Sequence, residues 1–323
     1  MDLVIYSGIF IACAGMLYIA GEWVVGGLMR LSRLFVIREF VLAFFVMSMG
    51  ASIPNLFLGV TSAIGGIPEL SLGDILGNNI VAMTVAVAAG VFFTSRGFVE
   101  AGGKTVRTSM FFTLIAAILP ILLITDGDLS RVDGLVLLGL FTIYILWLLS
   151  QRDRFSKRYN GTDKRESILK RARLAFSDVF KVVAGIALVL IATIGIVSSA
   201  SFFAGYFGVS LLIIGLLIVG LGSALPEIYF SIASARQDNT EFVLSNIMGA
   251  VIIPATLVLG IVALIHPIQT DGLELLTESR MVLAAAAVLF FIFAATHRRI
   301  NRFEAIILLV LYASFVSWAI FAS

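Results

Sequence analysis

Residues 222–227 read Gly-Ser-Ala-Leu-Pro-Glu, and this proline–glutamate pair lies inside a long apolar stretch. Proline has no backbone N–H to bond the carbonyl four residues earlier, so Pro226 leaves the Gly222 carbonyl without its usual partner and predicts a helix break. A charged residue at the centre of a membrane-spanning helix costs roughly 2.5–3.5 kcal/mol on insertion scales, so intramembrane acids are functional candidates by default. A freed carbonyl beside the Glu227 carboxylate predicts a cation site.

The composition around this pair is that of a membrane protein. The 323-residue chain is 60% hydrophobic and 13% charged, with a mean hydropathy of +1.08, which is far more apolar than a soluble domain. Its apolar runs are about 20 residues long, enough to cross a hydrocarbon core of roughly 30 Å as helices. We count ten, near 3–29, 40–64, 70–94, 108–125, 132–150, 178–204, 209–235, 242–265, 280–296 and 303–322. The sequence therefore predicts an all-α, polytopic membrane protein with ten transmembrane helices.

Positive charge is distributed unevenly between the two sides of this ten-span arrangement. With the N-terminus outside, only Arg131 and Arg280 fall on the outer side, so 20 of the 22 Lys and Arg residues lie inside. This bias satisfies the positive-inside rule. We therefore predict a multi-pass protein of the cell membrane, surrounded by lipid, with its N-terminus outside and residues 151–176 in the cytoplasm. The net charge of +2 is too small to indicate a nucleic-acid partner.

The chain contains an internal repeat. A shift of 172 residues places 35–55 on 207–227 and aligns Gly50 with Gly222, Pro54 with Pro226, Asn55 with Glu227, Asp74 with Asn246 and Gly77 with Gly249. Each half contains five spans, an odd number, so the second half must be inverted in the membrane relative to the first. Inverted repeats with Gly/Pro-interrupted spans at matching positions are typical of secondary transporters, whose site lies at the midplane between the halves, where the helices are broken.

The repeat sets the expected domain boundaries. Residues 1–150 form the first five-helix repeat, with its central region at about 40–94. Residues 177–323 form the second, with the corresponding region at about 209–265. The basic segment 151–176 between them is either a solvated cytoplasmic linker that fixes the topology or a binding site for anionic lipid head groups.

Two pairs of motifs occupy equivalent positions in the halves. The first pair reads Gly50-Ala51-Ser52-Ile53-Pro54-Asn55 and Gly222-Ser223-Ala224-Leu225-Pro226-Glu227. The second pair reads Gly73-Asp74-Ile75-Leu76-Gly77-Asn78-Asn79 and Ser245-Asn246-Ile247-Met248-Gly249-Ala250-Val251. These residues resemble the repeats of the sodium/calcium exchanger family, within the Ca²⁺:cation antiporter superfamily, which carry G-[ST]-[ST]-x-P-E and a G-N-x-x-G-S-N-like motif.

The resemblance covers nearly the whole chain and is to prokaryotic members, which lack a large regulatory insertion. It implies ten spans and an outside N-terminus. It also implies a secondary active antiporter with alternating access to one midplane site, exchanging Ca²⁺ or another cation for Na⁺ or H⁺, without a cofactor.

The chain departs from the family pattern at several ligand positions. Family members carry an acid at both P-E positions, whereas this chain has Glu227 but Asn55. Other side-chain oxygens of the family's Ca²⁺ site are absent at Ala51, Ala82, Ala224, Ala250 and Pro254. A monovalent cation/proton exchanger without Ca²⁺ transport therefore stays open as an alternative, as does a transport-inactive membrane scaffold.

The candidate ligands are few for a divalent ion. Ca²⁺ takes six to eight oxygens and usually more than one carboxylate. The expected ligands are the side chains of Glu227, Asn55, Asn78, Ser52 and Ser223, and the carbonyls of Gly50 and Gly222 freed by the prolines. Pro254 is also expected to break its helix and free the Ala250 carbonyl. One central carboxylate among neutral oxygens suits Na⁺ or a proton better than Ca²⁺.

Asp74 is a possible second acid. It stands where the resembled family usually has Asn, and its i,i+4 spacing places it on the same helix face as Asn78. If this face points into the central cavity, Asp74 and Glu227 could share a cation or a proton. Alternatively, Asp74 caps the half-helix that starts near Asn78 or bonds a neighbouring backbone group.

The third intramembrane acid is Glu22, beside Trp23 on the first span. We expect it near the inner end of that span, where it either snorkels to the interface or pairs with Arg33 or Arg38, in preference to a role in transport. An intramembrane enzyme is not expected, because the spans contain no Ser/His or paired Asp arrangement and no midplane histidine to act as a base.

Overall fold

The structure is a computed structural model that describes residues 2–34, 39–102, 104–150, 168–238, 240–269, 273–296 and 298–322, in part as backbone alone, as at 28–34, 39–48 and 168–176. These residues form ten long helices. In chain order they are α1 (Asp2–Leu34), α2 (Glu39–Ile64), α3 (Glu69–Phe93), α4 (Lys104–Leu123), α5 (Arg131–Ser150), α6 (Ile168–Phe207), α7 (Leu211–Arg236), α8 (240–265), α9 (Leu273–Thr296) and α10 (Arg302–Ala322).

The ten predicted spans correspond to these ten helices. Over the described residues, nine are long and apolar enough to cross a membrane, and Ser52–Ile64 of α2 is a shorter apolar helix at the position of the remaining span. The sixth helix begins at Ile168, earlier than the predicted span at 178. Neither glycine nor proline occurs between Ile168 and Ala184, so helix formation continues from the polar segment into the span.

Two small sheets show the inverted symmetry of the halves. Strand β1 (Phe98–Glu100, between α3 and α4) pairs antiparallel with β4 (Arg299–Asn301, between α9 and α10). Strand β2 (Asp128–Leu129, between α4 and α5) pairs antiparallel with β3 (Ile268–Gln269, between α8 and α9). The repeat shift of 172 places 98–100 on 270–272, next to β3, and 128–129 on 300–301, within β4, so it exchanges the two sheets. Because α4 separates β1 from β2, the sheets lie at opposite ends of the helix bundle.

Helices α3 and α8 share a wide π-helical turn at the same repeat position. The turn covers Ala82–Ala86 in α3 and Pro254–Val258 in α8, again 172 residues apart. The Thr84 hydroxyl donates to the Ile80 carbonyl (2.5 Å), and the Thr256 hydroxyl donates to the Ile252 carbonyl (2.6 Å). The predicted break at Pro254 is therefore wrong. The helix continues through a wide turn that also forms at Ala82, so proline is not its cause.

The break predicted at Pro226 is confirmed. Helix α7 consists of Leu211–Ile214, a π-turn at Gly215–Val219 and Gly220–Ser223, and it restarts at Leu225 after Ala224. Pro226 lies in the first turn of the new segment, where its missing N–H costs nothing. The first half differs, since Pro54 lies inside an α2 that is continuous from Glu39 to Ile64.

Buried position differs strongly among the helices. Helices α3 and α8 form the centre, with most of their residues buried, whereas α1 lies outermost. Helix α1 packs along α6 through small residues: Gly27 lies against Val182, Gly185 against Val24 and Gly195 against Cys13. The molecule therefore has a central pair of helices that positions the site and an outer α1–α6 pair beside it.

The α7–α8 connection is tied to the end of α3. Asp238 has a left-handed backbone (φ +53°), a conformation in which Asp and Asn are enriched. Its carboxylate accepts hydrogen bonds from the Ser95 hydroxyl (2.6 Å), the Thr94 hydroxyl (2.8 Å) and the Ser95 N–H (3.1 Å). These donors, the Ser95 hydroxyl first, hold the pKa of Asp238 below its usual value. The carboxylate thus joins the two halves outside the membrane spans.

An Asp238→Asn variant tests this connection. A depressed pKa in the folded state means that the bonds stabilise the protein above the unfolded-state pKa of 3.8 and lose their effect as pH falls through the folded value. We expect the unfolding temperature of the unmodified protein to fall more steeply below about pH 4 than that of the variant. Because the group is exposed, the difference at pH 7 should be a few degrees at most. Parallel pH curves for the two proteins would contradict the assignment.

Candidate functional site

The site is built where α3 and α7 touch through their backbones. A Cβ atom added to Gly73, Gly77, Gly215 or Gly220 would lie within 3 Å of backbone atoms of the opposing helix. Small residues of this kind let two membrane helices approach closely. Since Asp74 and Asn78 follow two of these glycines, the contact places them against α7.

Asp74 bonds a residue of the other half. It is buried, and the Ser223 hydroxyl donates to its Oδ1 atom at 2.6 Å. The Ser223 Oγ also lies 3.2 Å from the Gly220 carbonyl oxygen. The helix-capping alternative for Asp74 is not what the structure shows, because this bond crosses from α3 to α7 beside the break.

Glu227 follows Ser223 by one helical turn on the far side of the break. It is also buried, and its carboxyl group is close enough to that of Asp74 for the two to repel each other when both are ionised. The site therefore holds two buried carboxyl groups, one from each half, with Ser223 between them in the chain of contacts.

Several buried polar atoms around these carboxyls have no hydrogen-bond partner within the described part of the chain. They are Oδ2 of Asp74, Oε2 of Glu227, both amide atoms of Asn78 and Oδ1 of Asn79. Buried polar groups are nearly always bonded in folded proteins, so such a group of exceptions needs an explanation. Four of the atoms are oxygens, and oxygen atoms are the usual ligands of Na⁺ and Ca²⁺.

Asn79 was missed as a candidate ligand from the sequence. Its signal was present, because it occupies the final Asn of the G-N-x-x-G-S-N-like motif. Asn246, the repeat counterpart of Asp74, is buried as well, and its Nδ2 atom has no partner among the described residues. The unpaired polar atoms thus extend from α3 onto α8.

The predicted ligands of α2 lie nearby but are less directly joined to the carboxyl pair. Ser52 and Asn55 are buried on α2, as is Gly50, whereas Gly222 is half-buried. Asn55 is linked to the second half through its neighbour Pro54, which lines the same small cavity as Pro226. The structure therefore brings Asp74, Ser223 and Glu227 into contact and places Asn55 beside them on the other proline-containing helix.

Glu22 lies elsewhere than expected. It lines the cavity between Pro54 and Pro226 instead of lying at the inner end of α1, and it accepts a hydrogen bond from the Tyr18 hydroxyl at 3.0 Å. The predicted partners, the Arg33 side chain and Arg38, lie outside the described residues. Two carboxyl groups remain the acidic content of the central site, since the described residues contain no group of three Asp, Glu, His or Cys side chains able to hold a metal ion.

Comparison with known proteins agrees with this architecture. The family model for the sodium/calcium exchanger protein matches residues 5–150 and 178–321, which is most of both halves. The chain belongs to the sodium/calcium exchanger family. The resemblance inferred from the paired motifs is thereby confirmed, and the stretch without a match coincides closely with the polar segment 151–176.

Several curated members of this family are similar to the chain. The inner membrane protein YrbG of Escherichia coli K12 is 28% identical over 260 residues, covering 80% of this chain and 79% of YrbG. The putative antiporter CaxA of Alkalimonas amylolytica is 25% identical over 291 residues, covering 90% of each chain. The sodium/calcium exchanger MaX1 of Methanosarcina acetivorans is 30% identical over 139 residues, covering 43% of this chain and 39% of MaX1.

A solved family structure shares the fold. The sodium-calcium exchanger NCX_Mj, soaked with Na⁺ and Sr²⁺, superposes with a TM-score of 0.67 at 23% identity, and the match covers 98% of both chains. This agreement over the full length confirms the ten-helix fold of two inverted five-helix repeats with broken helices at the centre.

Proposed function

We propose that this member of the sodium/calcium exchanger family is a secondary active cation antiporter whose central site is held by Asp74 and Glu227. The site alternates access between the two sides and exchanges Ca²⁺ or another cation for Na⁺ or H⁺. The observation that carries the proposal is the pair of buried carboxyl groups, one from each half, connected through the Ser223 hydroxyl. Family membership supports it, since MaX1 is named a sodium/calcium exchanger and CaxA a putative antiporter.

The buried charges supply a reason for exchange instead of leakage. Two carboxylates taken out of water carry a penalty of several kcal/mol each unless a cation or a proton neutralises them. A site that has released its cation towards one side is therefore costly to close and turn over while empty. Loading with the counter-ion removes this penalty, which couples the two fluxes.

The position of Ser223 supports a proton as one counter-ion. With Asp74 ionised, the hydroxyl donates to Oδ1, as the 2.6 Å distance shows. With Asp74 protonated, the carboxylic acid can donate to Ser223, whose hydroxyl then turns to the Gly220 carbonyl 3.2 Å away. The same three groups thus accommodate both protonation states without moving the backbone.

The choice between a divalent and a monovalent cation depends on the number of oxygens. Two carboxylates, two amide oxygens, the Ser223 hydroxyl and a freed carbonyl approach the six to eight ligands of Ca²⁺. The expected set combines Asp74, Glu227, Asn78, Asn79, Ser223 and Gly222, with Ser52, Asn55 and Gly50 contributed by α2. Exchange of a monovalent cation for protons is the second candidate, favoured by the neutral Asn55 and by the absence of a third acid in the described part of the site.

Ion flux in proteoliposomes tests the proposed function. We expect the purified protein to accumulate radioactive Ca²⁺ or Na⁺ against its concentration gradient when an opposing Na⁺ or pH gradient is imposed. Collapse of the driving gradient with an ionophore should stop this uptake. If every combination of Ca²⁺, Na⁺, K⁺ and pH gradients gives the flux of empty liposomes, the antiporter proposal is wrong and the inactive-scaffold alternative is favoured.

The orientation forms part of the same proposal. We place the protein in the cell membrane with its N-terminus outside and residues 151–176 in the cytoplasm, because 20 of its 22 basic residues then lie inside. In this arrangement residues 1–150 and 177–323 are the two repeats, and both proline–acid or proline–amide pairs lie near mid-membrane. No enzymatic step is part of this function.

A further inference from the structure

A small cavity lies between α1 and the two proline-containing helices, outside the contacts of the Asp74 site. It is lined by Tyr18, Gly21 and Glu22 of α1, Pro54 of α2, and Pro226 and Tyr229 of α7, among others. Its volume is about 30 Å³. A cavity needs at least 10–15 Å³ on this measure to hold one water molecule, so there is room for an ion or one to two waters.

Glu22 is the charged group of this cavity. It is exposed from the protein although it belongs to an apolar span, and an ionisable side chain within a span almost always meets water or a partner charge. The Tyr18 hydroxyl donates to its Oε1 atom at 3.0 Å. This bond fixes the carboxylate towards the cavity wall one turn away, instead of leaving it to extend along the lipid-facing surface.

The cavity directly adjoins the central site along the chain. Pro226 precedes Glu227, and Pro54 precedes Asn55, so two of the wall residues are chain neighbours of the predicted ligands. We propose that this cavity is a second cation site, in which Glu22 and the Tyr18 hydroxyl hold a partly hydrated monovalent cation.

The chemistry of the walls selects a monovalent ion. Ca²⁺ takes six to eight oxygen ligands, usually with several carboxylates, whereas this cavity offers one carboxylate and the hydroxyl bonded to it. The Tyr18 and Tyr229 rings meet edge to face at 6.3 Å between centroids, and an aromatic face attracts a nearby cation. One water molecule retained by the ion completes a set that matches Na⁺ or K⁺ and is too weak for a dehydrated divalent ion.

The second site supplies cations to the central one. A carboxylate in a cleft with low-dielectric walls focuses the field and raises the local cation concentration, an effect of about tenfold or more in charged clefts. This role rests on the proposed antiport function, whereas cation binding at Glu22 does not depend on it.

Trp23 gives a direct readout of binding, because it is the chain neighbour of Glu22. In protein carrying Trp147→Phe and Trp318→Phe, Trp23 is the single tryptophan, and NaCl or KCl titrations against choline chloride should change its fluorescence saturably. Glu22→Gln should abolish this change, and Tyr18→Phe should weaken the apparent affinity at least about threefold, a loss expected for one hydrogen bond. Glu100→Gln, which removes an exposed carboxylate paired with Arg96, should titrate like the parent. A Glu22→Gln protein with the parent titration would overturn the second site, and if that variant does not fold, an unchanged Tyr18→Phe titration would do so.

Transport kinetics separate this inference from the proposed function. Glu22→Gln should raise the KM for the monovalent cation about threefold to tenfold and keep the maximal rate within about twofold, with a smaller KM ratio as choline chloride is added. An unchanged KM would contradict the supply role. Absence of flux in the unmodified protein would instead contradict antiport, and the fluorescence titration would still decide whether Glu22 binds a cation.

Discussion

Glu227→Gln abolishes cation exchange in proteoliposomes while the protein stays folded, if the two buried carboxyls form the transport site. Glutamine keeps the shape and one oxygen ligand but removes the charge that balances the cation. Removing one partner of a buried charge pair costs about 3–5 kcal/mol, which corresponds to a loss of roughly 10²–10³-fold in the affinity for the cation. The measurement is initial uptake across a range of cation concentrations, with elution volume and unfolding temperature reported for the same sample.

Asp74→Asn carries the same expectation, since Asp74 supplies the second charge from the opposite half. Its matched control is Asp2→Asn, which removes an exposed acid at the start of α1 and should leave uptake unchanged. An Asp74→Asn protein with normal uptake would show that Asp74 is a structural partner of Ser223. Normal uptake in Glu227→Gln would remove the central claim altogether.

The fold was largely predictable because its signals are local or periodic in the sequence. Pro226 predicts the break at Ala224 from its missing N–H alone. The shift of 172 residues predicts two inverted halves, and the exchange of β1–β4 with β2–β3 shows the same shift in the backbone. The wide turn at Pro254 was predicted wrongly as a break, because the sequence does not reveal that Thr256 bonds the Ile252 carbonyl.

The candidate site was less predictable because it depends on how helices are rotated against one another. The i,i+4 spacing placed Asp74 and Asn78 on one face of α3, but the direction of that face depends on the contact with α7. Ser223, the partner of Asp74, lies 149 residues away in the chain. The position of Glu22 failed for a related reason, since α1 is 33 residues long and exceeds the length needed to span, so its depth could not be read from its ends.

The glycine contact between α3 and α7 has the second large expected effect. At Gly77, an added Cβ would collide with the Leu216 carbonyl group of α7. The colliding atoms are backbone, so no side-chain rotation relieves the overlap and the helices must separate. We expect Gly77→Ala to lower the free energy of unfolding by about 1–3 kcal/mol, the usual cost of overpacking, and the unfolding temperature by roughly 5 °C. Uptake should fall further than stability, because separating α3 from α7 lengthens the distance between Asp74 and Ser223.

The matched control is Gly139→Ala on α5, where an added Cβ meets nothing within 4 Å. Alanine is favoured over glycine inside a helix by about 0.5–1 kcal/mol, so this variant should unfold at the same or a higher temperature and transport normally. Thermal unfolding in detergent and uptake in proteoliposomes, measured on both variants, separate a local collision from a general effect of adding a methyl group. If Gly77→Ala matched Gly139→Ala in both measurements, α3 and α7 could not approach as closely as the structure shows, and the Asp74–Ser223 bond would lose its basis.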